Sequence, residues 1–206
     1  MGGDVMSGKI RTIAFEGLDG GGKGTTISEL QKLIRCENWK TPPEFKEERR
    51  SKIAELGETK ELLEFFIESY RKEYEEIQTR HADILEADSD SVLLLDRCWV
   101  TPAAVRSTSE VGNPGWVEGV LQPDVIFTIH VAEGLRQERT LNPDRPELND
   151  RERRLRDEPE FREGIQRAEI EMGCVPLRIR KRSPEVVALR ALQNLLGRKE
   201  YHYHPA

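Results

Sequence analysis

Gly17, Gly22 and Lys23 stand in the spacing G-x-x-x-x-G-K, across the stretch Gly17-Leu18-Asp19-Gly20-Gly21-Gly22-Lys23. Glycines at these places let backbone N–H groups wrap round an anion, and the lysine adds a side-chain cation for a phosphate in transit. The residues expected to cradle a phosphate are therefore Gly17, Gly20, Gly21, Gly22, Lys23, Gly24, Thr25 and Thr26. Gly24 stands where serine or threonine commonly gives a hydroxyl to Mg²⁺. The metal is then held through water and the phosphates, or with help from Thr25.

A second charged pair, Asp96-Arg97, closes the apolar run Ser91 to Leu95. An arginine at a strand end suits the grip of an acceptor phosphate, and Asp96 suits its fixing or a magnesium-bound water. A third group lies in 142–158, almost free of large apolar residues and carrying Arg145, Arg151, Arg153, Arg154 and Arg156. Phosphoryl transfer between two anions needs neutralised charge and in-line positioning more than covalent catalysis, and these three groups supply cations for it.

The elements that must position them follow from the hydrophobic pattern. Ile10 to Phe15 reads as a strand directly before the glycine loop, and Thr25 to Cys36 as the helix after it, with Ile27, Leu30, Leu33 and Ile34 at helical spacing. Trp39 to Pro43 reads as a break, followed by charged helices over 44–56 and 60–87 that look surface-covering. Ser91 to Leu95, Val125 to Val131 and Val175 to Ile179 read as strands buried on both faces. Helical stretches are expected within 101–122, over 135–141 and 161–172, and from Pro184 to Leu196. Alternating strands and helices give an α/β domain with a mostly parallel sheet, its ligand at the carboxyl ends of the strands.

The 206 residues carry 32 Lys plus Arg against 38 Asp plus Glu, a net charge of -6, and 36% hydrophobic residues. One domain spanning 1–206 is expected, and wholesale disorder is excluded. The acidic balance argues against nucleic acid as a partner. No stretch reaches the ~18 apolar residues of a membrane span, and Met1 to Lys9 has no apolar core, so a cytoplasmic location is expected. Three scattered cysteines form no disulfide framework or zinc knuckle, and the four histidines form no metal cluster.

Phe15-Glu16-Gly17-Leu18-Asp19-Gly20-Gly21-Gly22-Lys23 resembles the phosphate loop of thymidylate kinases, and Gly-Lys-Gly-Thr at 22–25 is similar to the adenylate and cytidylate kinase variant. Asp96-Arg97, Pro123-Asp124 and Asp150-Arg151 with Phe161-Arg162 continue the resemblance over roughly 9–197. It implies a P-loop NTPase three-layer fold with a central five-stranded parallel sheet, a lid over about 142–158 and an acceptor-binding helical region over about 41–88. It implies an ATP- and Mg²⁺-dependent nucleoside monophosphate kinase, with dTMP the leading acceptor, nucleotides as partners and a homodimer as the assembly.

Residue by residue, Asp19 resembles the family carboxylate at the acceptor sugar and phosphate. Arg71 resembles the arginine that clamps the monophosphate, with Phe66 near the aromatic that stacks on the base. Asp96, Arg97 and Thr101 complete the acceptor set, and Thr25 and Asp96 the metal set. Lys23, Asp19 and Arg97 are the catalytic set, joined by Arg145, Arg151 and Arg153, because the loop has glycine where some members carry the catalytic arginine. Val105 and Arg106 depart from the family's tyrosine and glutamine, which leaves base and sugar open. A same-fold kinase for another acceptor, and a nucleotide-binding protein without efficient transfer, are the alternatives.

Overall fold

A computed structural model describes residues 9–86, 90–109, 111–140, 150–179 and 183–201. Five strands form one parallel sheet in the order β2-β3-β1-β4-β5, comprising β1 (Thr12–Glu16), β2 (Cys36–Trp39), β3 (Val92–Asp96), β4 (Val125–Val131) and β5 (Val175–Ile179). The helices are α1 (Lys23–Leu30), α2 (Pro43–Leu56), α3 (Lys60–Arg80), α4 (Ala82–Leu85), α5 (Val100–Arg106), α6 (Glu133–Thr140), α7 (Asp150–Asp157), α8 (Pro159–Glu171) and α9 (Pro184–Tyr201). This is the α/β architecture expected, a five-stranded parallel sheet flanked by helices.

The central strands are long apolar runs because helices cover both their faces. One core, with Ala14, Leu93, Leu95 and Ile126, packs under α3 and α5. The other, with Ile13, Phe15, Phe127 and Leu177, packs under α1 and α9. Phe15 pairs with Asp96 on one side and Phe127 on the other, so the β1 and β3 ends emerge together.

Three expectations change. The helix after the loop ends at Leu30, where tighter turns such as Leu33 N–H to Leu30 C=O redirect the chain. Cys36–Trp39 is the edge strand β2, pairing with Val92 to Leu95; only Trp39 of its four residues is buried, so the run shows no apolar alternation. The stretch 60–87 ends as a long helix at Arg80, and its Leu62, Phe66 and Ile77 are core rather than surface cover. The arginine-rich stretch is helical over Asp150–Asp157, while 141–149 lies outside the described residues.

Candidate active site

β1 delivers the chain into the glycine loop. Gly17 has φ +117°, and a Cβ there would meet the Ile129 carbonyl oxygen at 2.6 Å, so the loop lies too close to β4 for any side chain. Gly22, at φ 88°, caps α1 in the left-handed conformation. The Thr26 hydroxyl donates to the Gly22 carbonyl at 3.0 Å, and Thr25 is exposed in the first turn of α1.

Lys23 Nζ donates to the carbonyls of Gly17 at 2.9 Å and Leu18 at 3.3 Å. Among the described residues no carboxylate lies within 4.0 Å of it. Burial, seconded by the Arg97 charge, lowers its pKa to about 8. The carboxylates of Asp19, Asp96 and Glu16 favour its charge but offset only part of that cost, so an anion brought to Lys23 would stabilise it further.

Arg97 is the one non-glycine described residue with positive φ, at 80°. Such backbone costs of order 1–3 kcal/mol and persists where surrounding contacts impose it. Here its Nη2 meets Asp19 Oδ1 at 2.5 Å, and its Nη1 donates to the Gly17 carbonyl at 3.1 Å and to Thr101 Oγ1 at 3.0 Å. Behind it lies Glu16, wholly buried, which accepts from Cys98 N–H at 2.7 Å and from the Thr101 hydroxyl. Burial works against the Arg97 charge, and Asp19, Glu16 and Asp96 more than offset it, so its pKa is raised.

These groups open on a cleft of about 410 Å³. Asp19, Asp96, Arg97, Thr101 and Phe66 all line it, with Gly17 and Leu18 of the loop. Arg71 is not brought there: its Nε donates to the Glu118 carbonyl at 3.0 Å, pinning α3 to the loop before β4. Arg145 lies outside the described residues. Arg151 belongs to α7, but its side chain lies outside them too, and Arg153 is exposed on the same helix.

The cleft also holds residues that sequence reasoning missed. Lys46, Arg49 and Arg50 reach it from α2. Arg49 is buried, donating from Nε to Ser69 Oγ at 2.8 Å and from Nη2 to Glu73 Oε2 at 2.7 Å, with its guanidinium 3.8 Å above the Tyr70 ring. Glu169 reaches it from α8, where Thr128 Oγ1 donates to its Oε2 at 2.5 Å. Burial, then the nearby Glu16 carboxylate, pushes its pKa up to about 7. Spacing gave no sign of either: Arg49 looks like any charged helix residue, and Glu169 is one of many acidic residues on a surface helix.

The base of α7 is tied down. The Leu155 side chain packs with Leu18, Val105, Phe161 and Ile165, and its carbonyl accepts from Arg136 Nη2 and Arg162 Nη1, both at 3.0 Å. Both arginines also meet Glu133. A smaller cavity of about 180 Å³ lies between this cluster and Gly21.

For magnesium, Gly24 offers no hydroxyl and the described residues contain no cluster of three or more His, Cys, Asp or Glu side chains. Asp96, exposed at the cleft beside the loop, is a hard oxygen donor of the kind such an ion takes alongside water and phosphate.

No family model matches the chain, and no curated protein does. Solved structures do. Thymidylate kinase from Candida albicans matches at 13% identity and TM-score 0.59, covering 93% of each chain. Deoxyadenosine kinase from M. mycoides, solved with dCMP and dCDP, matches at 14% and 0.56, covering 90% of this chain and 99% of that one. Thymidylate kinase from Ehrlichia chaffeensis matches at 16% and 0.52, covering 90% and 98%. The chain shares their P-loop kinase fold, and among the described residues no helix is long and apolar enough to cross a membrane.

Proposed function

We propose that this chain is an ATP-dependent nucleoside monophosphate kinase, moving the γ-phosphoryl group of Mg-ATP onto a nucleotide, with dTMP the leading acceptor and dTDP and ADP the products. The observation that carries this reading is a pair of cations, Lys23 and Arg97, that both donate to the Gly17 carbonyl, Arg97 from the cleft wall. Lys23, hydrogen-bonded to the Gly17 and Leu18 carbonyls, marks the donor end; Arg97, with Lys46, Arg49 and Arg50 from α2, provides for a second anion. A nucleoside has no phosphate to offer the second site.

In this reading the loop amides and Lys23 hold the β- and γ-phosphates. Arg97, rigid through Asp19, Gly17 and Thr101, holds the acceptor phosphate in line. Asp96, with Thr25 and water, would hold Mg²⁺, which neutralises charge on the transferring group when bound. Arg145, Arg151 and Arg153 are proposed to reach the phosphates when the 142–158 segment closes and excludes water. The resemblance also carries a homodimer, which sedimentation checks against the 23.7 kDa monomer.

ADP release with Mg-ATP over dTMP, dUMP, the other deoxy- and ribonucleoside monophosphates, and nucleosides tests the reading. Turnover on monophosphates is expected, and turnover on nucleosides alone would overturn it. That second outcome has its own support in the likeness to a deoxyadenosine kinase and in Val105 and Arg106, which stand where the thymidylate kinase family has tyrosine and glutamine.

A further inference from the structure

The cleft wall combines charged and apolar side chains. Its charged members include Asp19, Arg97 and the α2 cations. The same lining includes Ile53, Phe66, Pro102, Leu155 and Ile165, none of which can hydrogen-bond through its side chain. Glu169 lines the same cleft and lies within electrostatic reach of Arg97. It is 1% exposed, anchored by Thr128 on β4 beside the loop, and Ile165 lies one turn away on the same face of α8.

Only one of the Glu169 carboxylate oxygens is occupied. Oε2 accepts from Thr128, while no donor among the described residues meets Oε1, although the side chain lines the cleft. The nearest basic ring, His130 Nε2, is 4.0 Å from Oε2. A carboxylate this deep, beside a second buried carboxylate at Glu16, is costly unless something donates to it.

A nucleotide laid with its phosphate at Arg97 and its base on the apolar side chains has its sugar beside that phosphate, in the cleft that Arg97 and Glu169 both line. We infer that Glu169 accepts a hydrogen bond from a sugar hydroxyl of the acceptor, so that this enzyme selects its substrate by the sugar and tolerates changes of base. This rests on the nucleotide-kinase reading above and adds the determinant of specificity. The asymmetry is physical: an apolar wall separates similar bases weakly, whereas a buried hydrogen-bonding group left unpaired rejects the analogue that lacks its partner.

The test is a cycle between residue and substrate, by calorimetric binding of acceptor monophosphates to the full chain saturated with a non-hydrolysable ATP analogue. Ribo-, 2′-deoxy- and 2′,3′-dideoxy-monophosphates of one base are compared, then different bases on one sugar. In the wild type, loss of the recognised hydroxyl is expected to weaken binding roughly 10²-fold, while change of base costs less than about tenfold. In Glu169→Ala the hydroxyl penalty shrinks to about threefold or less; Glu169→Gln, which keeps one acceptor oxygen and the Thr128 contact, falls between. A hydroxyl penalty equal in wild type and Glu169→Ala overturns the inference, as does a base penalty exceeding the sugar penalty. Binding of acceptors without this coupling defeats the inference alone. Binding of no monophosphate defeats the nucleotide-kinase reading, and the inference with it.

Discussion

Arg97 Nη2 lies 2.5 Å from Asp19 Oδ1, so the guanidinium proposed to receive the acceptor phosphate already holds a carboxylate. With Glu16 behind it and Thr101 beside it, Arg97 has one orientation before any ligand arrives. Arg97→Lys keeps the charge but loses the fork. Acceptor kcat/KM is expected to fall roughly 10²-fold, while ATP affinity stays within about threefold. Equal losses for donor and acceptor would place Arg97 with the phosphate loop instead.

The role in transfer proposed for Lys23 comes at a cost to the fold. Its depressed pKa, about 8, means that the penalty is fully present below pH 8 and relieved as pH rises toward the ordinary 10.5. Lys23→Met is expected to abolish turnover and leave the melting temperature at pH 7 equal or higher, by about 2–4 °C per kcal/mol recovered. A lowered melting temperature would show that the carbonyl contacts outweigh desolvation.

Gly24 occupies the second residue of α1, and a Cβ there would meet nothing within 4 Å. Gly24→Thr should fit, gain roughly 0.5 kcal/mol of helix stability and supply the hydroxyl that the loop lacks. The Mg²⁺ concentration for half-maximal activity is expected to fall. No change would mean that Asp96 and the phosphates already satisfy the ion.

Arg49 joins α2 to α3 through Ser69 and Glu73, and Glu73 also accepts from Trp39 Nε1 at 2.9 Å. Arg49→Met leaves that buried carboxylate without its cation and is expected to cost roughly 3 kcal/mol in urea unfolding. Pairing it with Glu73→Gln should restore much of the stability. An acceptor KM still raised about tenfold in the stable double variant would assign the arginine to the phosphate as well as to the fold.

Glu169 sets a pH window. Its native pKa of about 7 lies above the ordinary 4.5, so the folded state holds the proton more tightly. The stability this gives is complete below pH 4.5 and is lost as pH rises through 7, on the order of 3 kcal/mol over the full range. Melting temperatures measured from pH 5 to 8 should decline in the wild type and flatten in Glu169→Gln. Parallel curves would show that Glu169 is ionised throughout.

What the sequence discloses divides by range. The glycine loop, Asp96-Arg97 and the strands Val125–Val131 and Val175–Ile179 are local: their spacing or continuous apolarity needs no partner to be recognised. The edge strand Cys36–Trp39 escapes because pairing with β3, rather than its own pattern, makes it a strand. Arg49 and Glu169 escape because their importance comes from residues 20 and 41 positions away, Ser69 and Thr128. Arg71 shows the converse, for a residue at a plausible spacing is turned by its helix toward Glu118.

The register that sets Phe15 opposite Asp96 divides labour within the fold. Glu16, Gly17, Asp96 and Arg97 hang from the ends of two adjacent central strands and Lys23 opens the helix that β1 feeds, whereas Arg49, Phe66, Leu155 and Glu169 come from helices further from the sheet centre. Under the proposed function, mutations on those helices can therefore drift toward a new substrate while the proposed transfer residues stay in place, so the molecule is built to change its diet without relearning its chemistry.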